Sequence, residues 1–151
     1  MSRTRIQRYC VGILALGLMG AGMARAQAPE QPLPEYKPQF PGDPARSGSE
    51  AQALGYMRTV LRAEHAYKKK HGKYADSLAA LAKTGSMTPR MAATTDRGDY
   101  TASFRHNGEG FVLTMTPKQL DADHRSFYAE EDGAIHADDQ KAADADSPKI
   151  K

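Results

Sequence analysis

The chain has 151 residues, with 21 lysines and arginines against 18 acidic residues, which gives a formal net charge of +3 at pH 7. This length is enough for one domain of ordinary size. The chain contains one cysteine, which excludes an internal disulfide, so the fold must be held by its core.

Residues 1–26 have the three parts of a cleavable secretory signal peptide. They are a basic start with Arg3, Arg5 and Arg8, an apolar run of 13 residues over 11–23, and the small residues Ala24 and Ala26 at the cleavage positions. Such a run covers about 20 Å as a helix, whereas a bilayer core is about 30 Å thick. We therefore expect cleavage before Gln27 and a periplasmic or secreted mature protein. An uncleaved amino-terminal anchor is the alternative.

Cleavage changes the electrostatic character of the chain. It removes four arginines and no acidic residue, so the mature chain carries 17 basic against 18 acidic residues, a net charge of −1. The single cysteine, Cys10, leaves with the signal peptide. The mature chain therefore lacks the basic excess typical of nucleic-acid-binding proteins, and no nucleic-acid partner is expected.

Both ends of the mature chain are predicted to lie outside the folded domain. Residues 27–48 are predicted to form a semi-rigid linker, because prolines favour extended backbone. The six prolines concerned are Pro29, Pro32, Pro34, Pro38, Pro41 and Pro44. Residues 137–151 are rich in alanine, aspartate and lysine, with Ile150 as the one large apolar residue, and predict a disordered polar tail. Residues 49–136 remain as the folded domain.

Two helices are predicted to open the domain. Ser47 is placed to cap a long helix that runs to about Lys70, and Gly72 provides the left-handed stop. A broad apolar arc on this helix is predicted to face the core. It comprises Ala53, Leu54, Tyr56, Met57, Val60, Leu61 and Tyr67. A short helix over residues 77–82 follows, capped by Asp76 and closed by Gly85, and residues 86–98 are predicted to be a loop.

Glu64 lies inside the apolar arc of the long helix although it is acidic. It can pair with Lys68 one turn later, or it can accept hydrogen bonds from loop amides. Binding of a cation is the third alternative. We expect pairing or capping, because buried carboxylates most often find donors within the protein.

Alternation of apolar and polar residues predicts two β-hairpins after the loop. In the first, residues 100–105 and 111–116 flank the turn 107–110; in the second, residues 125–128 and 134–136 flank the turn 131–133. Helices and strands are thus segregated along the chain. The predicted class is α+β, with one long amino-terminal helix and a short second helix packed on a small antiparallel β-meander.

Four segments in a fixed order carry a resemblance to a known family. They are residues 57–67 (MRTVLRAEHAY), 67–74 (YKKKHGKY), 76–81 (DSLAAL), and the closing pair RSFY and DGAI within 125–135. Over residues 50–136 the chain resembles the soluble domain of type IV pilin-like proteins, especially the major pseudopilins of type II secretion. The resemblance implies the second half of a spine helix, its exit, a short leucine-bearing helix and a last hairpin.

The amino-terminal region departs from that family. Pilins have a short basic leader with a glycine before the cleavage point, and then a long apolar helix that starts with phenylalanine and has a glutamate at its fifth position. Here a signal-peptidase site and a proline-rich segment stand in that place. The apolar helix packs subunits into the filament, so this chain is expected to be a pilin-like head released as a soluble protein, without a membrane span in its mature part.

No catalytic, cofactor-binding or metal-ligating residues are predicted. The chain lacks a Gly-x-Ser-x-Gly motif and a phosphate loop. His65 and His71 are six residues apart, which turns them about 120° apart on a helix and disfavours joint ligation of zinc. The lysines at 68–70 and Lys73 are interpreted as the complement of the negative end of the helix dipole.

A calcium site at Asp121 and Asp123 is the one metal alternative. Carboxylates alternate in this loop, hard oxygen ligands suit calcium, and the resemblance implies a calcium-binding loop near this end of the domain. The glycine and distal glutamate of an EF-hand loop are missing. We expect a solvated turn here and no cofactor.

The sequence thus favours an exported, non-enzymatic protein that binds or assembles with a cell-envelope or secretion-system component. The alternative is a small periplasmic hydrolase or metal-dependent enzyme with an unrecognised site. The lack of paired catalytic groups in the sequence favours the first interpretation.

Overall fold

A computed structural model of the chain describes residues 36–150. Within them the helices are α1 (Gly48–His71), α2 (Leu78–Lys83) and α3 (Pro89–Ala93), and the strands are β1 (Asp96–Arg97), β2 (Tyr100–His106), β3 (Phe111–Pro117), β4 (Ser126–Glu130), β5 (Ile135–Asp138) and β6 (Lys149–Ile150). Helices precede strands, which confirms the α+β class. The predicted signal peptide and residues 27–35 of the predicted linker lie outside the described residues.

Helix α1 begins and ends where the sequence predicts. The Ser47 side chain accepts a hydrogen bond from the Glu50 amide at 3.1 Å, and Gly72, with φ of 76°, donates its amide to the Lys68 carbonyl at 2.8 Å. The predicted core face is correct at its centre, where Leu54, Met57 and Val60 are fully buried. No helix among residues 36–150 combines the length and the apolar character needed to cross a bilayer.

The segment after α1 differs from its prediction in two places. Ser77, not Asp76, caps α2, because its side chain accepts the Ala80 amide at 3.3 Å. Residues 86–98 are not a continuous loop, since they contain α3 and β1. Thr88 caps α3 and Pro89 is its first residue, which is a common way for a helix to begin. The helix has only five residues and no apolar periodicity, so the sequence did not predict it.

The six strands among the described residues form one antiparallel sheet in chain order, β1 to β6. The two hairpins are present as predicted, with a turn at Gly108 (φ 90°) in the first and at Gly133 (φ 75°) in the second. One face of the sheet is buried against α1, and its buried side chains are Tyr100, Ala102, Leu113, Met115, Phe127 and Ala129. The predicted helix-on-meander arrangement is therefore present.

The carboxyl-terminal segment is ordered, which corrects the prediction of a disordered polar tail over 137–151. Residues 137–138 complete β5, and the chain then returns as β6 along the same edge. Ser126 anchors the return: its hydroxyl donates to the Lys141 carbonyl at 2.6 Å and accepts the Ala143 amide at 2.7 Å. His136 Nδ1 lies 2.6 Å from the Ser147 carbonyl oxygen. Hydrogen bonds to buried polar groups hold this segment in place. The hydrophobicity pattern of a sequence contains no information about such bonds, so the segment was predicted to be a tail.

The described part of the predicted linker, residues 36–47, lies against the domain. Ala45 is buried, and the Pro44 carbonyl accepts a hydrogen bond from Arg125 at 2.7 Å. Tyr36 donates its hydroxyl to Asp43 at 2.6 Å. The domain therefore begins several residues before the predicted boundary at 49.

Candidate functional site

A buried ion pair joins the start of α1 to the residue before β4. Glu50 is 0% exposed, and its two carboxylate oxygens accept hydrogen bonds from Arg125 Nε at 2.9 Å and Nη2 at 2.7 Å. The backbone amides of Arg46 and Arg125 also donate to it, at 2.8 Å and 2.9 Å. Each carboxylate oxygen of Glu50 accepts two hydrogen bonds and neither is open to solvent. The ion pair therefore has a structural role: it connects α1 to the sheet. No local sequence pattern predicts this pair, because its two residues are 75 positions apart.

A second polar cluster lies near the same end of α1. His124 Nδ1 is 2.8 Å from Asp121 Oδ1, and His124 Nε2 is 3.7 Å from Asp99 Oδ2. Ser49 donates its hydroxyl to the same Asp99 oxygen. These are the residue types of a hydrolytic triad, but Ser49 is bonded to a carboxylate instead of to the imidazole. The cluster therefore lacks the serine–histidine contact that activates a nucleophile.

The two aspartates of the calcium alternative have other partners. Asp121 Oδ1 accepts the Asp123 amide at 2.9 Å in addition to its contact with His124. Asp123 is exposed, and its carbonyl oxygen accepts the Ser47 hydroxyl at 2.6 Å. Across residues 36–150, no three side chains of histidine, cysteine, aspartate or glutamate are grouped so as to hold a metal ion.

The His124 cluster should make stability depend on pH near neutrality. Burial lowers the pKa of His124, but the hydrogen bond and charge of Asp121, with the charges of Asp99 and Asp123, outweigh burial and raise the pKa. The hydrogen bond from His124 lowers the pKa of Asp121. The stabilisation by His124 is therefore complete below about pH 6.5 and is lost as pH rises through its folded-state pKa. The stabilisation by Asp121 is present above about pH 3.9 and is lost as the pH falls through its folded-state pKa.

We expect the free energy of unfolding of the wild-type protein to fall between about pH 6 and about pH 8, by under about 1 kcal/mol for a partly exposed pair. Urea denaturation across this range measures the change. His124→Gln should flatten the pH dependence, whereas His65→Gln, an exposed histidine on α1, should keep it. An unchanged slope in His124→Gln would contradict this assignment.

Glu64 caps the loop that follows α1. Its Oε2 accepts the Ala75 amide at 3.0 Å, so the capping interpretation is confirmed. Lys68 instead places its ammonium 4.2 Å from the centre of the Tyr74 ring. Burial raises the pKa of Glu64, and the hydrogen bond from Ala75 opposes that rise. The side chain fixes the helix exit and is not open to a ligand, since it is fully buried.

The histidines and lysines of the helix exit lie on the surface. His65 and His71 are both exposed, and the His71 ring lies 4.3 Å from the Tyr67 ring, centre to centre. Lys73 pairs with Asp76 at 3.6 Å, also in solvent. This region therefore has the charged last turn expected from the helix dipole.

A groove of about 380 Å³ runs between α1 and the edge of the sheet. Its lining residues are Arg58, Leu61 and Arg62 from α1, Gly133, Ala134 and Ile135 from the β4–β5 hairpin, and Ile150 from β6. We call this the α1–β6 groove. Among residues 36–150 neither of its arginines forms an ion pair with a carboxylate. The groove could not be predicted from the sequence, because Ile150, which forms one of its walls, fell in the predicted tail.

An exposed aromatic residue lies beside one arginine of the groove. Phe40 is 46% exposed, and the Arg58 guanidinium lies 5.5 Å from the centre of its ring. Arg62 Nε donates to the Arg58 carbonyl at 3.2 Å. Arginine and aromatic residues are enriched at protein interfaces and among the residues that contribute most to binding energy.

Comparisons with known proteins do not decide between the two functional interpretations. No protein family, no curated protein and no solved structure matches the chain. The resemblance to pilin-like domains thus rests on the order of the segments quoted above.

Proposed function

We propose that the protein is an exported, non-enzymatic pilin-like head that binds a component of the cell envelope or of a secretion system. The order of elements supports this: a long helix, two short helices and then an antiparallel meander. The quoted segments support it as well: residues 57–67 lie within α1, and residues 125–135 span the β4–β5 hairpin. The signal-like residues 1–26 support export.

One observation carries the binding role: α1 presents a polar stripe beside the α1–β6 groove. Arg58, Arg62, His65 and Lys69 follow one another at spacings of four, three and four residues, and the last three are exposed. These spacings place them on one helix face. In the family that the chain resembles, a long apolar helix packs subunits into the filament, and here a proline-rich segment stands in its place. We therefore propose that the polar face of α1 contacts a different partner.

The alternative of a hydrolase needs a hydroxyl activated by a base. The residues nearest to that arrangement are Ser49 and His124, and the hydroxyl of Ser49 is bonded to Asp99. Both ring nitrogens of His124 also lie near carboxylates, Nδ1 at 2.8 Å from Asp121 and Nε2 at 3.7 Å from Asp99. The geometry therefore favours binding over hydrolysis.

Site-specific crosslinking in cells tests the proposed function. A photoreactive amino acid is placed at His65, on the exposed stripe, or at Arg90, an exposed residue of α3 that serves as the control. We expect a discrete crosslinked product in the envelope fraction from position 65 and none from position 90. If position 65 gives no product beyond the background of position 90, the proposed binding of an envelope component through this face is wrong.

A further inference from the structure

We infer that the α1–β6 groove recognises a short acidic and apolar segment of a partner protein. A carboxylate of that segment pairs with Arg58 and Arg62, and the adjoining apolar side chain lies on the aliphatic floor. This inference rests on the proposed binding function and adds the chemistry of the partner to it.

The floor of the groove requires an apolar group. Ile135 is buried, whereas Leu61 and Ile150 are half-buried and form an aliphatic surface that still meets solvent. A volume of about 380 Å³ is at the lower end of ligand sites, which suits one or two side chains. Covering this surface removes apolar area from water, which is the main favourable term in association.

The charges of the groove select an anion. Arg58 and Arg62 are one helical turn apart, and no acidic residue lines the groove with them. Two acids near these residues have partners of their own: Asp132, which precedes Gly133 in the chain, pairs with Lys149 at 2.9 Å, and Asp43 accepts the Tyr36 hydroxyl at 2.6 Å. Guanidinium groups bind carboxylates through paired hydrogen bonds, and such charge-assisted bonds are stronger than neutral ones.

The two requirements together define the partner. A free inorganic anion would satisfy the arginines and leave the aliphatic floor exposed, whereas a purely apolar segment would desolvate two guanidinium groups without a partner. A peptide in which glutamate adjoins leucine satisfies both. Phe40, exposed at the side of Arg58, adds an aromatic contact for the same segment.

A peptide titration followed by NMR tests the inference on the exported protein labelled with ¹⁵N. The probe is the capped hexapeptide acetyl-Ser-Glu-Leu-Glu-Leu-Ser-amide, and its matched control carries glutamine in place of both glutamates. We expect amide shifts that cluster at residues 58–62 and 133–135. The double variant Arg58→Gln with Arg62→Gln should weaken binding at least tenfold. The double variant Arg90→Gln with Arg105→Gln, two exposed arginines that do not line the groove, should leave it unchanged.

Three results would overturn the inference: equal binding of the glutamine peptide, shifts outside the groove, or unchanged binding by the Arg58 and Arg62 variant. Thermal unfolding of that variant checks that it is folded, which we expect because neither arginine is buried. Sedimentation of the protein alone completes the test. A dimer that the peptide does not displace would make a second copy the occupant and would also overturn the inference.

The titration and the crosslinking experiment can fail separately. A crosslinked envelope protein without peptide binding retains the proposed function and refutes the acidic and apolar partner. Peptide binding without a crosslinked product retains the recognition chemistry and refutes the envelope role.

Discussion

Replacing Glu50 by alanine is expected to lower the free energy of unfolding by about 3–5 kcal/mol, because a buried arginine then loses its counter-ion. The Arg125 side chain is 9% exposed, so water does not replace the carboxylate. Glu50 also accepts the amides of Arg46 and Arg125, which would lose their partner as well. Since small domains are stable by about 5–15 kcal/mol, this variant should lose a large share of its stability.

Urea denaturation of Glu50→Ala measures the loss, and Glu109→Ala is the matched control. Glu109 is exposed in the β2–β3 turn, so its removal should cost under about 0.5 kcal/mol. A double variant, Glu50→Ala with Arg125→Met, should recover part of the loss, because it removes the stranded charge. If Glu50→Ala is as stable as Glu109→Ala, Glu50 and Arg125 do not form a buried ion pair in solution.

Local features of the fold could be predicted from the sequence. The bounds of α1 follow from two residues, Ser47 as the amino-terminal cap and Gly72 as the left-handed stop, and each acts within one turn of the helix. The hairpins follow from glycines at 108 and 133 between alternating strands. Such signals depend only on residues that are close in the sequence, so they can be identified without knowledge of the tertiary structure.

Features that depend on distant residues could not be predicted. Glu50 and Arg125 are 75 positions apart, and neither has a local pattern that indicates the other. The order of residues 139–150 depends on Ser126 and His136, whose hydrogen bonds are non-periodic. The α1–β6 groove then depends on that order, since Ile150 forms one of its walls. A low content of apolar residues therefore led to the wrong prediction of a tail and concealed the α1–β6 groove.

The periodicity of α1 leads to the second large effect, which is expected for Met57→Ala. Met57 is 0% exposed at the centre of the apolar arc, and truncation to alanine removes most of its side chain and leaves a cavity. Substitutions of this kind cost about 2–5 kcal/mol, depending on how far the neighbours relax into the space. Arg62→Ala, on the exposed face of the same helix, should cost under about 0.5 kcal/mol.

Chemical denaturation of Met57→Ala and Arg62→Ala separates the two faces of the helix. Met57→Leu is a further control, because it keeps a similar volume and should cost less than about 1.5 kcal/mol. A large loss in Met57→Ala that Met57→Leu largely restores would show that packing volume at this position stabilises α1 against the sheet. Equal losses in Met57→Ala and Arg62→Ala would mean that the helix packs through a different face, and the α1–β6 groove beside Arg62 would then lose its basis.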